Sequence, residues 1–315
     1  MAQTQPTITG DFSGFIKPDQ AQDYFTEASK LSAVQSLARQ VPVGPNGVEF
    51  RQVTSKPTAN WVDEGGRKPT TKGEIGLRSF KPHKIAAITV ASAEVVRANP
   101  GNYINLYREE IAEAFAVAFD YAALWGIGGD GTGSGPFDAA IADTSKSVAL
   151  GAAGQAEGGI YADLNGALQA LVADKRKLTG WVLDDTTEPV LNSAVDLNGR
   201  PLFVESPYDG TSLDSGRLLR RPAVFSEDIA RDNVVGFAGN WEKAIWGVAS
   251  GISYDVSTQA TVTIDGELVS LWENNLVAIR TEAEYGFLLD SEEHFVKITE
   301  GSDDDNGDEG DGSGE

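Results

Sequence analysis

The side chains that most often carry out catalysis or bind metals are scarce in this chain. Of its 315 residues only His83 and His294 are histidines, and none is a cysteine. The lack of thiols excludes disulfides, thiolate metal sites and cysteine nucleophiles. Two isolated histidines also argue against a transition-metal cluster. We therefore predict that both histidines are structural or exposed, and that the chain binds no metal and no cofactor.

Pairs of acidic residues, Asp184-Asp185 and Glu292-Glu293, are the remaining candidates for chemistry. Neighbours in sequence point to opposite faces of a strand, whereas glycoside hydrolysis needs two carboxylates that converge on the substrate. The sequence contains neither a Gly-x-Ser-x-Gly nor a His-Glu-x-x-His motif. These observations favour a protein without catalytic residues, and they leave a carbohydrate-active enzyme as the alternative from a different class.

The charge of the chain argues against nucleic-acid binding. Lys and Arg number 25 against 47 Asp and Glu, so the net charge is −22, and such a surface repels a polyanion. Seven of the acids lie in residues 301–315, which contain no apolar side chain and are predicted to be a disordered tail. The basic clusters Lys175-Arg176-Lys177 and Arg217 to Arg221 have acidic neighbours. We interpret them as solvated or intersubunit patches.

Membrane insertion and secretion are not expected. No apolar run approaches the ~20 residues that cross a bilayer. The first residues, Met1 to Pro6, have neither the basic start nor the apolar core of a signal peptide. We therefore expect synthesis in the cytoplasm and no membrane partner.

A projecting hairpin is the element most clearly indicated by the pattern. Two segments rich in β-branched residues, Val48 to Thr54 and Phe80 to Val90, enclose a polar insert from Asn60 to Gly76. At ~3.3 Å per residue, roughly 17 residues a side reach on the order of 50 Å, whereas a body of this size has a radius of gyration of about 20 Å. Because a two-stranded ribbon is marginal by itself, the arm is expected to lie against another copy of the chain.

Two helices precede and follow this hairpin. Apolar residues at three- and four-residue steps predict an amphipathic helix from Asp19 to Gln40. A longer helix is predicted over residues 102–125, about 36 Å in length. Its apolar residues, from Ile104 to Trp125, keep to one stripe. The glycine-rich run from Gly126 to Pro136 follows it. Because this run ends a helix instead of opening one, we predict a tight chain reversal and not a phosphate-binding loop.

The second half of the chain has a mixed α and β pattern. Helices are predicted near Leu164 to Val172 and over Thr187 to Val195. A long alternating segment from Asn275 to Leu289 and the short run Phe295 to Ile298 predict the last strands. The other predicted strands are short and local: 180–183, 222–225, 234–237, 244–248, 252–256 and 262–264.

The order of these elements resembles the major capsid proteins of tailed phages, whose fold is named for phage Hong Kong 97. Five segments carry the resemblance: the Trp-x-x-Glu-Gly element Trp61 to Gly65, the return strand Phe80 to Val96, the glycine turn Gly126 to Pro136, the Asp-x-x-Gly-Arg-Pro segment Asp196 to Leu202, and the late strand Arg280 to Phe287 ahead of Phe295-Val296. Their joint order and spacing are more specific than any one of them.

The resemblance implies an α+β fold of the Hong Kong 97 type. Its parts would be an N-terminal arm and helix (1–46), an extended β-hairpin loop (47–79), a peripheral domain (80–145 and 275–300) with a long spine helix (102–125), an axial α+β domain (146–274) and a disordered acidic tail (301–315). It further implies self-assembly as pentamers and hexamers into an icosahedral virion shell, assembled in the host bacterial cytoplasm. An encapsulin-like nanocompartment, which shares the fold, is the nearest alternative.

The same resemblance implies which residues and partners matter. Residues of the extended loop would contact a neighbouring subunit: Trp61, Glu64, Arg67, Lys68 and Lys72. The expected partners besides other copies are a scaffold or protease, a portal and decoration proteins, with double-stranded DNA enclosed but not bound by sequence. Some relatives join a loop lysine to an asparagine of a neighbour. Lys56, Lys68 and Lys72 are present, but neither the asparagine nor its catalytic glutamate is matched, so this chemistry is not carried over.

Overall fold

The computed structural model describes residues 32–55, 57–94, 103–195 and 215–301. The helices are α1 (Ala33–Leu37), α2 (Tyr103–Asp120, continued by a π-helical turn Tyr121–Trp125), α3 (Gly159–Ala173) and α4 (Thr187–Asn192). The strands are β1 (Arg39–Pro42), β2 (Val48–Ser55), β3 (Glu74–Phe80), β4 (His83–Ser92), β5 (Ser147–Leu150), β6 (Gly180–Asp184), β7 (Ser215–Leu218), β8 (Arg221–Ser226), β9 (Val234–Gly239), β10 (Ala244–Ser257), β11 (Thr261–Ile264), β12 (Glu267–Ser270), β13 (Leu276–Leu289) and β14 (Phe295–Glu300). Residues 1–31, which include the start of the predicted N-terminal arm and helix, lie outside the described residues. So do the Asp-x-x-Gly-Arg-Pro segment and the tail from residue 302.

Two mixed sheets organise these elements. One has four strands in the order β1-β10-β13-β4, and the other has six in the order β5-β14-β9-β6-β8-β7. Two further pairs, β2-β3 and β11-β12, form separate two-stranded ribbons. The combination of helices with mixed sheets confirms the predicted α+β class.

The main hydrophobic core lies where α2 crosses the four-stranded sheet. Phe119 of α2 is buried and meets the rings of Trp246, Tyr285 and Phe287 edge-on, at centroid distances of 6.1, 5.7 and 6.1 Å. Edge-to-face aromatic pairs contribute about 0.5–1.5 kcal/mol each beyond the area they bury. The apolar stripe predicted for the long helix therefore holds that helix against β10 and β13.

A second core lies on one face of the six-stranded sheet. There α3 places Leu164 and Leu171 against Trp181 of β6 and Ile298 of β14. All four side chains are almost fully buried. Alternate residues of the same strands, such as Val182 and Phe295, point to the opposite face and join the first core. The six-stranded sheet thus lies between the two apolar clusters.

The N-terminal end of α1 is held by a carboxylate from the end of α2. Asp120 is buried and accepts hydrogen bonds from Ser32 Oγ (2.7 Å), Ala33 N (2.8 Å) and Val34 N (3.2 Å). These donors include free backbone N–H groups of the first helical turn, which an acceptor must satisfy when they are buried. The contact ties the start of the described chain to the long helix.

The glycine-rich run after α2 makes the predicted reversal. Gly126 has φ +66° and ends the helix, its N–H donating to Ala122 O. Gly135 N then donates to Gly126 O at 2.7 Å, which closes the turn. A left-handed backbone of this kind favours glycine. The predicted helix stop and tight turn are therefore confirmed.

The predicted pairing of the hairpin was wrong in one strand. The partner of β2 is β3, with Val48 opposite Phe80, whereas β4 pairs antiparallel with β13 of the body. Lys81-Pro82 separates β3 from β4, and proline cannot donate to a ladder. The continuous β-rich pattern from Phe80 to Val90 therefore contains the end of one strand and most of another.

Two further predictions of strand and helix ends need correction. The helix predicted to reach Gln40 ends at Leu37, because Arg39–Pro42 form β1 and pair in parallel with β10. The two strands predicted over 244–248 and 252–256 are one strand, β10, with irregular register near Ser250. In both cases pairing within the four-stranded sheet overrides the local pattern.

The sheets group the strands differently from the predicted division into domains. β10 falls within the predicted axial segment but pairs with β13, and β14 falls within the predicted peripheral segment but pairs with β9. Each of the two sheets thus draws on both halves of the chain. The boundaries of a peripheral and an axial domain stay a prediction.

Candidate functional site

The β2–β3 hairpin is fixed to the body at its base. The Phe50 and Phe80 rings stack at a centroid distance of 6.0 Å, and Phe80 is buried with Val41 and Val43. Phe80 lies directly over Gly286 of β13, where a Cβ atom would stand 2.5 Å from the ring. The glycine therefore provides the room in which the hairpin is anchored.

The distal part of the hairpin is a turn stabilised by its own hydrogen bonds. Gly66 N donates to Asp63 O at 2.9 Å, and Gly65 has φ +76°. Thr58 N donates to Thr71 Oγ1 at 2.9 Å and links the two sides of the loop. Left-handed glycine and a short local bond are typical of a tight turn. These hydrogen bonds join residues of the loop to each other and not to the body of the subunit.

The five predicted contact residues all lie on this loop and are all exposed. Trp61 is fully exposed, Glu64 lies in the turn, and Arg67, Lys68 and Lys72 are solvent-accessible. Lys72 Nζ lies 2.8 Å from the Glu74 carboxylate, and both side chains are largely in water. An exposed pair of this kind contributes little to stability. The structure brings these residues together on one element, and none is buried in the subunit.

Two apolar residues that the sequence reasoning did not single out lie on the same hairpin. Ile75 and Leu77 of β3 are 70% and 68% exposed. Successive side chains of a strand point to opposite faces, and both residues are an odd number of positions from Phe80. They therefore lie on the face opposite to the one that Phe80 anchors. The sequence signal that could have found them is the two-residue repeat of side-chain direction along this strand, counted back from Phe80. Full burial of such side chains contributes about 1.5–3 kcal/mol each, which this subunit leaves unused.

The two histidines each have contacts within the subunit. His83 meets Phe137 edge-on at 6.0 Å, and His294 Nε2 lies 3.6 Å from the Asp290 carboxylate. Burial, followed by the nearby Arg176 cation, lowers the pKa of His294. Over the described residues no group of three metal-ligating side chains comes together.

One acidic residue of each pair has bonding partners within the subunit. Asp184 is buried and accepts bonds from Thr186 N at 3.1 Å and Ala230 N at 2.9 Å. Glu293 forms an ion pair with Arg176 of the first basic cluster. The second cluster includes Arg221, whose Nε donates to Leu178 O at 2.8 Å. These side chains hold turns and elements together.

None of the helices in the described part of the chain is both long and apolar enough to cross a bilayer.

Comparison with known proteins decides the family. The model of the phage capsid family matches residues 13–299. The chain belongs to the phage capsid family. A probable major capsid protein of Mycobacterium phage L5 is 44% identical over 304 residues, covering 92% of this chain and 91% of that protein. Its counterpart in Mycobacterium phage D29 is 43% identical over 306 residues, covering 95% and 93%.

Solved structures agree on the fold. A structure from Mycobacterium phage Ogopogo covers 86% of this capsid chain and 92% of its own, with a TM-score of 0.69 at 19% identity. A structure described as the capsid of an empty GTA particle covers 95% and 94%, with a TM-score of 0.63 at 16% identity. The predicted Hong Kong 97-type fold is therefore confirmed. The encapsulin-like and carbohydrate-active alternatives find no support in these comparisons.

Proposed function

We propose that this chain is the repeating subunit of an icosahedral phage shell, assembled from pentamers and hexamers of identical copies. The single observation that carries the proposal is the β2–β3 hairpin, which is anchored at Phe80 and exposes Trp61, Ile75 and Leu77. A monomer gains nothing from exposed apolar side chains on a narrow ribbon, whereas a neighbouring subunit can bury them. Membership of the phage capsid family supports the same role.

In this proposal the hairpin lies across the adjacent subunit and works as a clasp. Trp61 supplies a large apolar side chain with few rotatable bonds, the type that anchors protein interfaces. Glu64, Arg67, Lys68 and Lys72 surround it with charge of both signs, which suits a polar rim. The role is structural and requires no catalytic residue.

The remaining partners follow from the role of a shell. Closed shells that package a genome need an entry vertex and a means of setting their size, so we propose a portal and a scaffold or protease as partners, with decoration proteins outside. The enclosed cargo is double-stranded DNA. With a net charge of −22, the subunit repels DNA more than it binds it, and packaging does not depend on sequence-specific contacts.

The function is tested by expressing the chain in bacteria, alone and with candidate scaffold and portal genes. Sedimentation and negative-stain microscopy should show rings or closed particles, and particles filled in infected cells should protect double-stranded DNA from nuclease. Monomers under every assembly condition would contradict the proposal. Particles that protect an enzyme instead of DNA would favour the nanocompartment.

Replacing Ile75 and Leu77 together by threonine should raise the concentration needed for assembly by about ten-fold or more. Threonine is compatible with a strand but removes most of the apolar burial, of order 1–2 kcal/mol per site, and 1.4 kcal/mol is a factor of ten. Light scattering across a concentration series measures the threshold. The matched control is Val172→Thr with Val190→Thr, two exposed valines on α3 and α4. An equal shift in the control would contradict a specific role of the hairpin face.

A further inference from the structure

A groove of about 800 Å³ lies between the base of the hairpin and the edge of the four-stranded sheet. Its apolar lining includes Phe50 of β2, Ile245 of β10 and Leu288 of β13. Its basic lining comes from three successive strands, with Arg39 on β1, and Arg51 and Arg78 on the hairpin. We call this site the arginine groove.

The charge of the arginine groove is opposite to that of the chain. Four basic and two acidic side chains line it, whereas the whole chain has 25 basic and 47 acidic residues. One lining cation is already neutralised, because Lys243 Nζ lies 2.7 Å from the Asp290 carboxylate. The three arginines are exposed and form no ion pair with another described residue. The groove therefore presents an excess of positive charge.

The chemistry of arginine defines the occupant. A guanidinium group binds carboxylates and phosphates through two parallel hydrogen bonds. The net charge of −22 opposes the approach of a long polyanion such as DNA. The chain itself has a short acidic segment, residues 302–315, that contains seven carboxylates and no lysine or arginine. The charge of this segment is opposite to that of the groove. Because both belong to the same chain, every subunit supplies one copy of each.

The acidic segment is long enough to reach the groove. β14 starts close to the groove, because the preceding His294 has its Nε2 3.6 Å from the Asp290 carboxylate of the groove lining. The six residues Phe295 to Glu300 extend about 20 Å from there at ~3.3 Å per residue. A coil of fourteen residues has a typical end-to-end distance of about 20 Å, and fourteen residues extend at most to about 48 Å. The arginine groove of the same subunit, or of an adjacent one, lies within this range.

We propose that residues 302–315 dock in the arginine groove, where their carboxylates pair with Arg39, Arg51 and Arg78. The apolar floor lowers the local dielectric and strengthens these pairs compared with pairs on an open surface. The docking needs no shell, so it goes beyond the proposed function. It assigns a binding site to the base of the hairpin and an occupant to it.

The test is disulfide cross-linking in the full chain. The sequence has no cysteine, so two introduced cysteines would be its only thiols. Glu242→Cys places a thiol at the rim of the groove, and Ser313→Cys places one in the acidic segment. Mild oxidation of the soluble subunit at low salt, followed by a non-reducing gel, should give efficient cross-linking. The yield should fall at least five-fold when Arg39, Arg51 and Arg78 are changed to glutamate. The charge-matched control changes Lys175, Lys177 and Arg217, which are exposed elsewhere, and should keep the yield.

The outcomes separate the possible occupants. An intrachain band supports docking within one subunit, and a dimer band supports docking between copies. If the groove variant and the control variant cross-link with equal yield, whether reduced or not, the proposal is overturned, because the cross-linking then does not depend on the arginines of the groove. A duplex oligonucleotide that binds the wild-type chain but not the groove variant, together with no cross-linking, would identify a phosphate site instead. Because the readout is on the soluble subunit, failure to form shells does not affect it.

Discussion

Replacing residues 56–73 by Asn-Gly should abolish closed shells while leaving the subunit folded. Ser55 is paired with Glu74, so a two-residue turn can join β2 directly to β3, and Asn-Gly is favoured in such turns. The replacement removes Trp61 and the charged residues around it but keeps the Phe50–Phe80 anchor. The melting temperature of the free subunit should change by only a few degrees, since the side chains of residues 57–73 are exposed. Microscopy should show no closed particles.

A second variant separates the chemistry of the loop from its length. A Gly/Ser segment that replaces residues 57–73 residue for residue keeps the span of the hairpin but lacks its side chains. It should also fail to assemble, because Trp61 and the charged side chains around it are absent. Normal shells from the Gly/Ser variant would show that the loop only fills space. A collapse of the free subunit in either variant would show that the loop stabilises its own body.

Changing Asp120 to alanine should destabilise the subunit by about 2–4 kcal/mol. The carboxylate accepts from Ser32 Oγ, Ala33 N and Val34 N at 2.7, 2.8 and 3.2 Å, and alanine leaves these buried donors without a partner. Each buried unsatisfied donor costs about 1–3 kcal/mol, partly offset because a buried carboxylate is itself expensive. Denaturant unfolding of the free subunit measures the loss. Asp130→Ala, which changes an exposed carboxylate of the glycine run, is the control.

The same residue should make stability depend on pH in an unusual direction. The pKa of Asp120 is raised from 3.8 to about 7, chiefly because the carboxyl is buried. The bonds from Ser32, Ala33 and Val34 act to lower this pKa, and the nearby Asp228 adds a smaller contribution that raises it. Between about pH 4 and pH 7, Asp120 is therefore protonated in the folded chain and ionised in the unfolded chain. This contribution to stability is complete below about pH 4 and is lost as the pH rises through about 7, at most about 4 kcal/mol.

Asp120→Asn provides the matched test of this dependence, since the amide is nearly isosteric and does not titrate. The free energy of unfolding of the wild type, minus that of the variant, should fall between pH 4.5 and pH 7.5 and then level off. A difference that is flat over this range, or that rises with pH, would contradict a raised pKa at Asp120. Chemical denaturation at fixed ionic strength gives the curve.

Local signals predicted the elements with the strongest periodicity. The long apolar stripe of α2, the left-handed turn at Gly126 and the alternation of β13 each depend on residues close in sequence. The choice of partner strand was not predictable in this way. Phe80 to Val90 was interpreted as one strand-like segment, and only the pairing of β4 with β13 shows that the hairpin ends at Phe80. β1 was hidden for the same reason, because its partner lies about 200 residues away in β10.

The candidate site was predicted in part. The loop and Trp61 followed from its polar insert and from the capsid resemblance, because exposed loops carry such signals in their own residues. Ile75 and Leu77 needed the register of β3, which determines the face on which each residue lies. The cap at Asp120 could not be derived, since the three donors lie more than 80 residues away. The arginine groove likewise combines strands that are distant in sequence.

In the proposed function, the β2–β3 hairpin joins subunits of an icosahedral shell. Electron cryo-microscopy of the assembled particle tests it most directly, because it shows both the symmetry and the path of residues 48–80. We expect five-fold and six-fold clusters of this chain, with Trp61, Ile75 and Leu77 buried against an adjacent subunit. A particle in which the hairpin folds back on its own subunit, with these three side chains in solvent, would contradict it.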